Sequence, residues 1–373
     1  MTRILVLNAG SSSLKGALVE PPDRALARAE TAWGADATRA ADRMGGVTRL
    51  VAELRATAGD DVPIAAVGHR VVHGGSRFTA PARIDAAVIE AIRAGRDLAP
   101  LHNGVALDAI EAARAALPEV PHVACFDTAF HATLPEAAWR YPLPRAWHER
   151  WSVRRYGFHG LSVAWSTGRA SELLSRPVRE LGLVVAHLGS GCSVSAVQGG
   201  RSVDTSMGWT PLEGLMMGTR AGSVDPGILV RLLSDGRLGV PELAEALDHG
   251  SGLLAVAGTA DMRTIVTGAV GGDAAATLAL AMFVRRVAGG VAAAATALDR
   301  LDAIVFTGGI GERSGVVRAA VVARLGSLGV AATLADPEGD DDAILTGAAQ
   351  VTVLRIAARE DLAIAREVAA LLR

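Results

Sequence analysis

The densest set of side chains suited to phosphate chemistry lies in the middle of the chain. The apolar run Leu183 to Ala186 is followed by the turn HLGSG and by an alternating run, Cys192 to Val197, a pattern that predicts a two-stranded hairpin. A Gly/Ser turn presents backbone N–H groups with no side chain in the way, and this geometry suits phosphate. Downstream, Arg220 stands between Gly218 and Gly222, and a guanidinium binds phosphate oxygens bidentately. Alone, these residues fit either a phosphate site or an ordinary hairpin followed by a surface loop.

A similar strand, turn and strand open the chain. Residues 3–19 read RILVLNAGSSSLKGALV and repeat the pattern of LVVAHLGSGCSVSAV. Two such hairpins predict a duplicated α/β unit. Asn8 ends the first strand, where its side-chain carbonyl suits a metal ion or its waters, although satisfying its own turn is the simpler role. Lys15 is the only lysine; its compact charge suits phosphate, although it could equally be an accident of composition.

Charged and imidazole side chains recur at strand ends and glycines. Arg70 lies in the apolar run VGHRVVHGG and needs an anionic partner, because a stranded buried charge costs several kcal/mol. Asp127 follows the strand-like run in VPHVACFDTAF, at the strand end where α/β sheets place ligand sites. His159 lies between Phe158 and Gly160, where the backbone is open. A lone histidine is nevertheless more commonly structural than catalytic.

The C-terminal half adds further glycine turns. Asp261 and Arg263 follow one such turn, and residues 303–314 form a predicted strand that runs into GGIGER and then a helix. These glycines allow a nucleotide base or ribose to rest on the chain. The last helix opens with two acids, the first of them Glu360, and that placement suits the helix dipole.

The composition predicts a soluble globular protein of two domains. The chain has 373 residues, 50% hydrophobic and 20% charged, with a formal net charge of −2, so nothing predicts a nucleic-acid or membrane-surface partner. Two cysteines give neither a disulfide framework nor a metal spacing, and with no signal-peptide pattern the cytoplasm is the expected compartment. The apolar window 274–298 predicts a buried or dimer-interface helix rather than a membrane span.

Two further segments carry weaker patterns. The pattern of residues 21–63 predicts one or two surface-exposed helices, and that of residues 135–155 predicts a loop-rich crossing between the halves.

Taken together, these segments resemble the acetokinase family. The matching motifs span Leu5 to Ala365 in the family's order and are VLNAGSSSLK, GHRVVHGG, APLHN, FDTAFH, RYGFHG, HLGSG, DTSMGWTPLEGLMMGTR, DMR, FTGGIGE and EDLAIA. The resemblance implies an α/β fold of two duplicated actin-like domains, of the sugar kinase, heat-shock ATPase and actin type, with a nucleotide cleft between them. It implies a first domain of residues 1–130, joined by the C-terminal helix 360–373, and a second, nucleotide-binding domain of residues 131–359.

The resemblance also implies reversible transfer of the γ-phosphoryl group of ATP to acetate, with Mg²⁺ or Mn²⁺, by a cytoplasmic homodimer. It assigns metal-associated roles to Asn8 and Glu360. It assigns catalytic roles to Arg70, Asp127, His159 and Arg220. The implied acetate pocket comprises Arg70, Val72, Leu101, Phe158 and Pro211. The implied ATP contacts are Lys15, His187, Leu188, Gly189, Ser190, Gly191, Asp261, Met262, Arg263, Gly309, Ile310, Gly311, Glu312 and Arg313.

The implied reaction needs no general base, because a carboxylic acid with a pKa of about 4–5 is already ionised at neutral pH. It instead requires two anions to be brought together and charge to be neutralised on three equatorial oxygens. We therefore expect direct in-line attack by the substrate carboxylate. Asp127 is then a metal or water ligand, or an orienter of Arg70, rather than a proton acceptor.

Two departures from the family's pattern bear on the nucleotide: Ser190 and Arg313 stand where the family usually has asparagine. Serine is shorter than asparagine and lacks its amide donors, which changes the phosphate contacts of the HLGSG turn. Arginine adds a cation beside the nucleotide. Propionate or butyrate stays open as the acceptor, since one methylene is worth only about 1–3 kcal/mol of discrimination. A non-catalytic actin-like scaffold would lack the phosphoryl-binding side chains, and a sugar or glycerol kinase would need a base for its hydroxyl nucleophile. Nucleotide preference, acyl chain length and physiological direction stay open.

Overall fold

The structure, a computed structural model, describes residues 3–10, 13–32, 40–59, 63–95, 100–331, 334–335, 342–346 and 350–373. Of residues 40–44 and 100–102 it describes the backbone only. The chain forms two compact units. The first comprises Met1–Ala132, Phe158–Trp165 and Arg359–Arg373, and the second comprises Thr133–Gly157 and Ser166–Ala358.

Strands and helices alternate along both units. The strands are β1 (Arg3–Ala9), β2 (Ser13–Glu20), β3 (Arg24–Ala32), β4 (Ile64–Val71), β5 (Ala82–Arg83), β6 (His122–Phe126), β7 (Gly182–Leu188), β8 (Cys192–Gln198), β9 (Arg201–Thr205), β10 (Ala303–Thr307), β11 (Ala343–Ile344) and β12 (Thr352–Arg355). The helices are α1 (Ala40–Ala58), α2 (Ala86–Ala94), α3 (Pro100–Ala116), α4 (Glu136–Trp139), α5 (Arg145–Trp151), α6 (Gly160–Leu173), α7 (Pro226–Ser234), α8 (Val240–His249), α9 (Gly252–Ala257), α10 (Met262–Val270), α11 (Ala274–Ala295), α12 (Gly308–Arg313), α13 (Gly315–Val322) and α14 (Glu360–Leu371).

The two units contain sheets of the same topology. The first sheet has the order β3-β2-β1-β4-β6-β5, in which β1, β4 and β6 are parallel and the remaining pairings are antiparallel. The second has the order β9-β8-β7-β10-β12-β11, in which β7, β10 and β12 are parallel. In each unit the predicted hairpin supplies the first two strands, and a two-residue strand forms the far edge. The predicted duplication of an α/β unit is confirmed.

Helix α14 packs on the first sheet at a glycine. A Cβ added to Gly68, in β4, would lie 2.5 Å from Ile364 Cγ2 and 2.8 Å from Val368 Cγ2. Both partners are fully buried, so the missing side chain sets the distance between the helix and the sheet. This close packing carries Glu360, the first residue of α14, to the side chain of Asn8 at the end of β1.

The apolar helix α11 packs against β7 and β8 in the second unit. Phe283, Val287 and Val291 are fully buried there, whereas Leu278 and Met282 are exposed. By length and composition, α11 and the stretch Gly252–Val270 reach the hydropathy of a membrane span. The burial of one face of α11 on a sheet is that of a core helix, and Gly258, with φ of 71°, ends α9 inside the second stretch.

The structure corrects two expectations taken from the sequence. Within residues 21–63, Arg24–Ala32 is a strand rather than a helix, because it pairs with β2 along its whole length. Helix α1 is a surface helix, as expected: Arg49, Glu53 and Arg55 are exposed, while Leu50 and Leu54 on its other face are buried in the core of the first unit. Residues 135–155 contain the short helices α4 and α5 rather than loop alone.

Candidate active site

Four polar side chains meet at the carboxyl end of the parallel strands in the first unit. Arg70 lies near the end of β4, Asn8 near the end of β1, Asp127 follows β6, and Glu360 begins α14. Arg70 donates from Nε to Asp127 Oδ1 at 3.1 Å and from Nη2 to Oδ2 at 2.5 Å. Its Nη1 donates to Asn8 Oδ1 at 3.2 Å, and Asn8 Nδ2 donates to Glu360 Oε2 at 3.1 Å. We call these four residues the arginine cluster; its place at the strand ends is the one expected for a ligand site.

Burial and ion pairing act in opposite directions on the arginine cluster. Burial acts to lower the pKa of Arg70, but the carboxylates of Asp127 and Glu360 outweigh it and raise that pKa. Burial raises the pKa of Asp127, and the Arg70 guanidinium opposes the rise. The Asp127 side chain is only 1% exposed and that of Arg70 is 20% exposed, so separating this pair would strand a buried charge. Arg70 is therefore a permanent cation whose orientation Asp127 sets.

The turn that carries His159 is docked against the strand end that carries Asp127. Gly160 N donates to Asp127 O at 2.9 Å, and a Cβ added to Gly160 would lie 2.2 Å from that oxygen. Burial lowers the pKa of His131 to about 4, so its ring is neutral and its Nε2–H donates to Phe158 O at 2.9 Å. His159 itself has φ of 58°, a left-handed conformation that is strained for a non-glycine residue. Such strain clusters at functional sites.

Two members of the predicted acetate pocket are buried in the first unit. Val72 follows β4, and the Phe158 ring makes an edge contact with His73 at a centroid distance of 5.4 Å. Asn103, fully buried in α3, fixes His73 by accepting from its backbone N at 3.2 Å and donating to its O at 3.0 Å. The side chain of Leu101, a third predicted member, lies outside the described part of the chain.

The oxygen donors of the arginine cluster suit a hard divalent cation. Asn8 offers an amide oxygen and Glu360 a carboxylate, which are ligand types that Mg²⁺ and Mn²⁺ prefer. Within the described ranges, no three His, Cys, Asp or Glu side chains group into a metal cage. Mg²⁺ does not need one, because it commonly keeps waters and binds through one or two carboxylates plus substrate phosphates. Asn8 and Glu360 fit that kind of site. Asn8 Oδ1 accepts one hydrogen bond from Arg70, at 3.2 Å, whereas both oxygens of Asp127 accept from it.

In the second unit, Arg220 is held by a tight backbone turn. Met217 N donates to Arg220 O at 3.0 Å, and Arg220 Nη1 donates to Pro211 O at 3.0 Å. Burial lowers the pKa of Arg220, although a guanidinium remains charged at neutral pH. Gly252, with φ of 64°, begins α9 against this turn, and a Cβ there would lie 2.3 Å from Met217 O. The predicted phosphoryl contact Arg220 and the predicted acetate-pocket residue Pro211 are thus in contact.

A cavity of about 510 Å³ in the second unit gathers the segments predicted to contact a nucleotide. The HLGSG turn, the start of α10 and helix α12 form its walls, and Gly218 N, from the segment before Arg220, donates to Ser190 O at 3.0 Å. We call it the glycine pocket. It is lined by Gly189, Ser190, Ala260, Asp261, Met262, Arg263, Val266, Thr267, Gly309, Ile310, Arg313, Ser314, Gly315 and Val316.

Proteins of similar sequence and structure identify the family of this chain. The sequence profile of the acetokinase family matches residues 3–366. The chain belongs to the acetokinase family. An acetate kinase of Deinococcus radiodurans is 48% identical over 387 residues, covering 98% of this chain and 97% of that protein. The crystal structure of Porphyromonas gingivalis acetate kinase superposes with a TM-score of 0.88 at 32% identity and full coverage of both chains. A propionate kinase from Francisella tularensis gives a TM-score of 0.87 at 35% identity, covering 98% of this chain and 99% of that one.

Membership of the acetokinase family confirms the recognition made from the sequence motifs. The duplicated α/β fold is confirmed with it, as is the identification of the chain as an enzyme of the acetokinase family. The fold alone does not separate acetate from propionate as the acceptor, because structures of kinases for either acid superpose equally well.

Several residues that the family resemblance assigns to ATP do not line the glycine pocket. Leu188 and Gly311 are buried, and Glu312 accepts a hydrogen bond from Ala358 N at 2.9 Å. Lys15 lies in the first unit, exposed, with Nζ 4.0 Å from Glu30. His187 and Gly191 flank the lining residues of the HLGSG turn. Their ATP contacts stay predictions.

Sequence reasoning missed a buried acid behind the arginine cluster. Glu367, on α14, and the Cys125 thiol, on β6, share a hydrogen bond, and burial raises the pKa of both groups, that of Glu367 to about 7. Asp127 adds to the rise at Glu367 by repulsion. The sequence could have predicted the position of Glu367, because residues seven apart lie on the same face of a helix and Glu367 follows Glu360 by seven.

Proposed function

We propose that this chain catalyses reversible transfer of the γ-phosphoryl group of ATP to acetate, giving acetyl phosphate and ADP, by direct in-line attack of the acetate carboxylate. The observation that carries the proposal is the arginine cluster, in which Asp127 and Asn8 orient the guanidinium of Arg70. A guanidinium fixed in this way can receive an anion without reorganisation, which is the main requirement of phosphoryl transfer.

Charge neutralisation is divided among three cationic or donor side chains. Arg70, His159 and Arg220 bind the equatorial oxygens of the transferring group, because two anions must approach and charge is spread over these oxygens. Asp127 positions Arg70 and moves no proton, since acetate reaches the site ionised. The strained φ of 58° at His159 supports a functional role for its imidazole.

Asn8 and Glu360 would hold Mg²⁺ or Mn²⁺ together with the nucleotide phosphates. When bound, such an ion supplies positive charge that offsets the negative charge of the β- and γ-phosphates. Asn8 bridges the two charged residues Arg70 and Glu360, and these contacts keep the site assembled.

Acetate is the proposed acceptor, with propionate as the second candidate. Val72 and Phe158 in the first unit, and Pro211 in the second, supply the apolar contacts for the methyl group, and the residues of the glycine pocket bind ATP. An additional methylene shifts affinity by only about 1–3 kcal/mol. Acceptor preference is therefore a matter of degree.

A second copy of the chain is the proposed cover for the apolar surface of α7 and α8. Neither helix has a buried residue, and Ile228, Val230 and Val240 are 53%, 62% and 69% exposed. Apolar area of this extent is commonly an interface. We therefore infer a homodimer in the cytoplasm, with no nucleic-acid or membrane partner. We also infer that residues 1–130 and 360–373 form one domain and residues 131–359 the other.

The test is a coupled assay of acyl phosphate formation with ATP and Mg²⁺ across acetate, propionate and butyrate. We expect kcat/KM to be highest for acetate and to fall by about tenfold or more for butyrate. A preference for propionate or butyrate would reassign the acceptor, and ATP binding without any turnover would favour the non-catalytic scaffold.

Light scattering of the parent and of Val230→Asp tests the dimer, since the charged variant should dissociate.

A further inference from the structure

Three side chains of the second unit hold the loop of residues 206–214, which follows β9 and carries Pro211. Arg155 donates from Nη2 to Glu213 Oε1 at 2.9 Å, and the hydroxyl of Tyr141 donates to Glu213 Oε2. The guanidinium of Arg155 also lies over the Tyr141 ring, 5.4 Å from its centroid. The Arg155 side chain is 17% exposed and that of Glu213 is 33% exposed, so water and salt screen this pair less than a pair on the open surface. We call Tyr141, Arg155 and Glu213 the loop clamp.

The loop clamp also binds the backbone of the loop. Arg155 Nη1 donates to Ser206 O at 3.0 Å. The Tyr141 hydroxyl accepts from Trp209 N at 3.0 Å while it donates to Glu213. Ser206 begins the loop and Glu213 lies near its end. One guanidinium and one hydroxyl therefore hold both ends of the loop through a shared carboxylate.

Gly208 leaves the space that the loop clamp occupies. A Cβ added there would lie 1.7 Å from Glu213 Oε2 and 2.1 Å from the Tyr141 hydroxyl oxygen, so any side chain at this position would displace the clamp. The carbonyl of Gly208 accepts from Tyr156 N at 3.0 Å. Residues 209–214 are only half-buried, so apolar burial does little to fix them. Hydrogen bonds of the clamp decide their position instead.

The held loop carries a residue that the proposed function uses. Pro211 O accepts from Arg220 Nη1 at 3.0 Å, and Pro211 is the member of the proposed acetate pocket that lies in the second unit. A shift of the loop would therefore move an apolar contact of the acceptor and a hydrogen bond that orients Arg220. Misplacement by about 1 Å at a distance from the reacting atoms can lower turnover by about 10²-fold.

We propose that the loop clamp is a set of positioning residues that, by fixing Pro211, sets the KM for acetate and the preference for acetate over longer acids. The proposal rests on the proposed function, because that function places Pro211 in the acetate pocket. It extends the function by naming side chains outside the pocket that decide how closely the pocket fits the methyl group.

The test compares the parent with Tyr141→Phe, Glu213→Gln, their double variant and the control Tyr156→Phe. The control removes the hydroxyl of the other tyrosine in the chain, which donates to Ser152 O at 3.2 Å, outside the loop. Each clamp variant should raise the KM for acetate by about tenfold and leave the KM for ATP unchanged. The ratio of kcat/KM for acetate to that for butyrate should fall by about threefold or more. The double variant should lose little more than either single variant, because both changes break one interaction.

Thermal unfolding, recorded for each variant, separates positioning from stability. Activity that falls with Tm at unchanged KM, an equal rise in the KM for acetate and for ATP, or kinetics equal to those of the parent would overturn the proposal. So would an equal effect of Tyr156→Phe.

Hydrogen exchange of residues 206–214 in the ligand-free protein, measured by mass spectrometry, separates this proposal from the proposed function. Faster exchange confined to that loop in Tyr141→Phe and Glu213→Gln would support the clamp even if the chain phosphorylated a different acid. Unchanged exchange in both variants would show that these side chains do not fix the loop.

Discussion

The guanidinium of Arg70 and the carboxylate of Asp127 form a two-point ion pair, with Nε–Oδ1 at 3.1 Å and Nη2–Oδ2 at 2.5 Å. Because both oxygens accept, the plane of the guanidinium is held by the plane of the carboxylate. Asp127 is nearly inaccessible to solvent, whereas Arg70 is partly exposed. A substrate can therefore reach the arginine, and the aspartate acts through it.

Asp127→Asn should lower kcat by about 10²-fold or more, because the amide keeps the size of the side chain but no longer fixes a charged partner. The shape of the pH–rate profile should be unchanged, since no proton passes through this residue. The concentration of Mg²⁺ required should also stay unchanged. Asp23→Asn, which breaks the exposed pair with Arg366 in the same unit, is the matched control and should keep full activity. Rescue by alkaline pH or small bases would identify a general base instead, and a raised Mg²⁺ requirement would identify a metal ligand.

Arg220→Ala should lower kcat by about 10³-fold, following the cost of removing an arginine from a phosphoryl-transfer site. Arg220→Lys should recover little activity, because the turn at residues 217–220 aims a planar fork and an ammonium does not reproduce it. The control is Arg201→Ala, an exposed arginine of β9 in the same unit, with thermal unfolding checked for each variant. An Arg220→Ala protein that folds and works within a few-fold of the parent would remove this residue from the mechanism.

Acid should destabilise the first unit through the buried pair His69 and His122. His122 Nε2 donates to Leu117 O at 3.0 Å, so its Nδ1 accepts from His69 Nε2 at 2.9 Å. Burial lowers the pKa of both rings below 6.5. The unfolded chain then binds more protons below that pH, and the free energy of unfolding falls as pH drops below about 6.5. His69→Gln keeps a donor towards His122 but cannot titrate, so urea unfolding should show a weaker loss between pH 7 and pH 5. An unchanged pH dependence would contradict the prediction.

Glu367→Gln should stabilise the protein at alkaline pH. Burial raises the pKa of Glu367 from 4.5 to about 7 in the folded state, so the folded chain binds more protons between those values. The stability contributed by this group is present below pH 4.5 and is lost as pH rises to about 7, a change of at most about 3 kcal/mol. This trend opposes that of the histidine pair, so each variant must be compared with the parent at every pH. The gain of Glu367→Gln over the parent should be larger at pH 8 than at pH 5, and Glu53→Gln, an exposed acid on α1 in the same unit, should show none. A gain that does not vary with pH would argue against ionisation of Glu367.

Local chemistry was sufficient for much of the fold. The paired hairpins β1–β2 and β7–β8, the strand before GGIGER and the acidic start of α14 all follow from apolar periodicity and turn residues, which depend on neighbours in the chain. The family motifs add the identity of most candidate site residues. The strand β3 was predicted as helix because its sequence has a helical periodicity. Its extended conformation depends instead on pairing with β2.

By itself the sequence determined the duplicated α/β pattern, the membership of the acetokinase family and the residue types available for phosphoryl chemistry. Only the tertiary structure decided which of them touch: Asn8 and Glu360, 352 positions apart, share a hydrogen bond, and Asp127 faces Arg70 rather than standing alone as an acid. Such contacts depend on the order of strands in the sheet and on the close approach of α14 at Gly68. No local pattern encodes them, because their energies come from burial and ion pairing between segments that meet only in the folded chain.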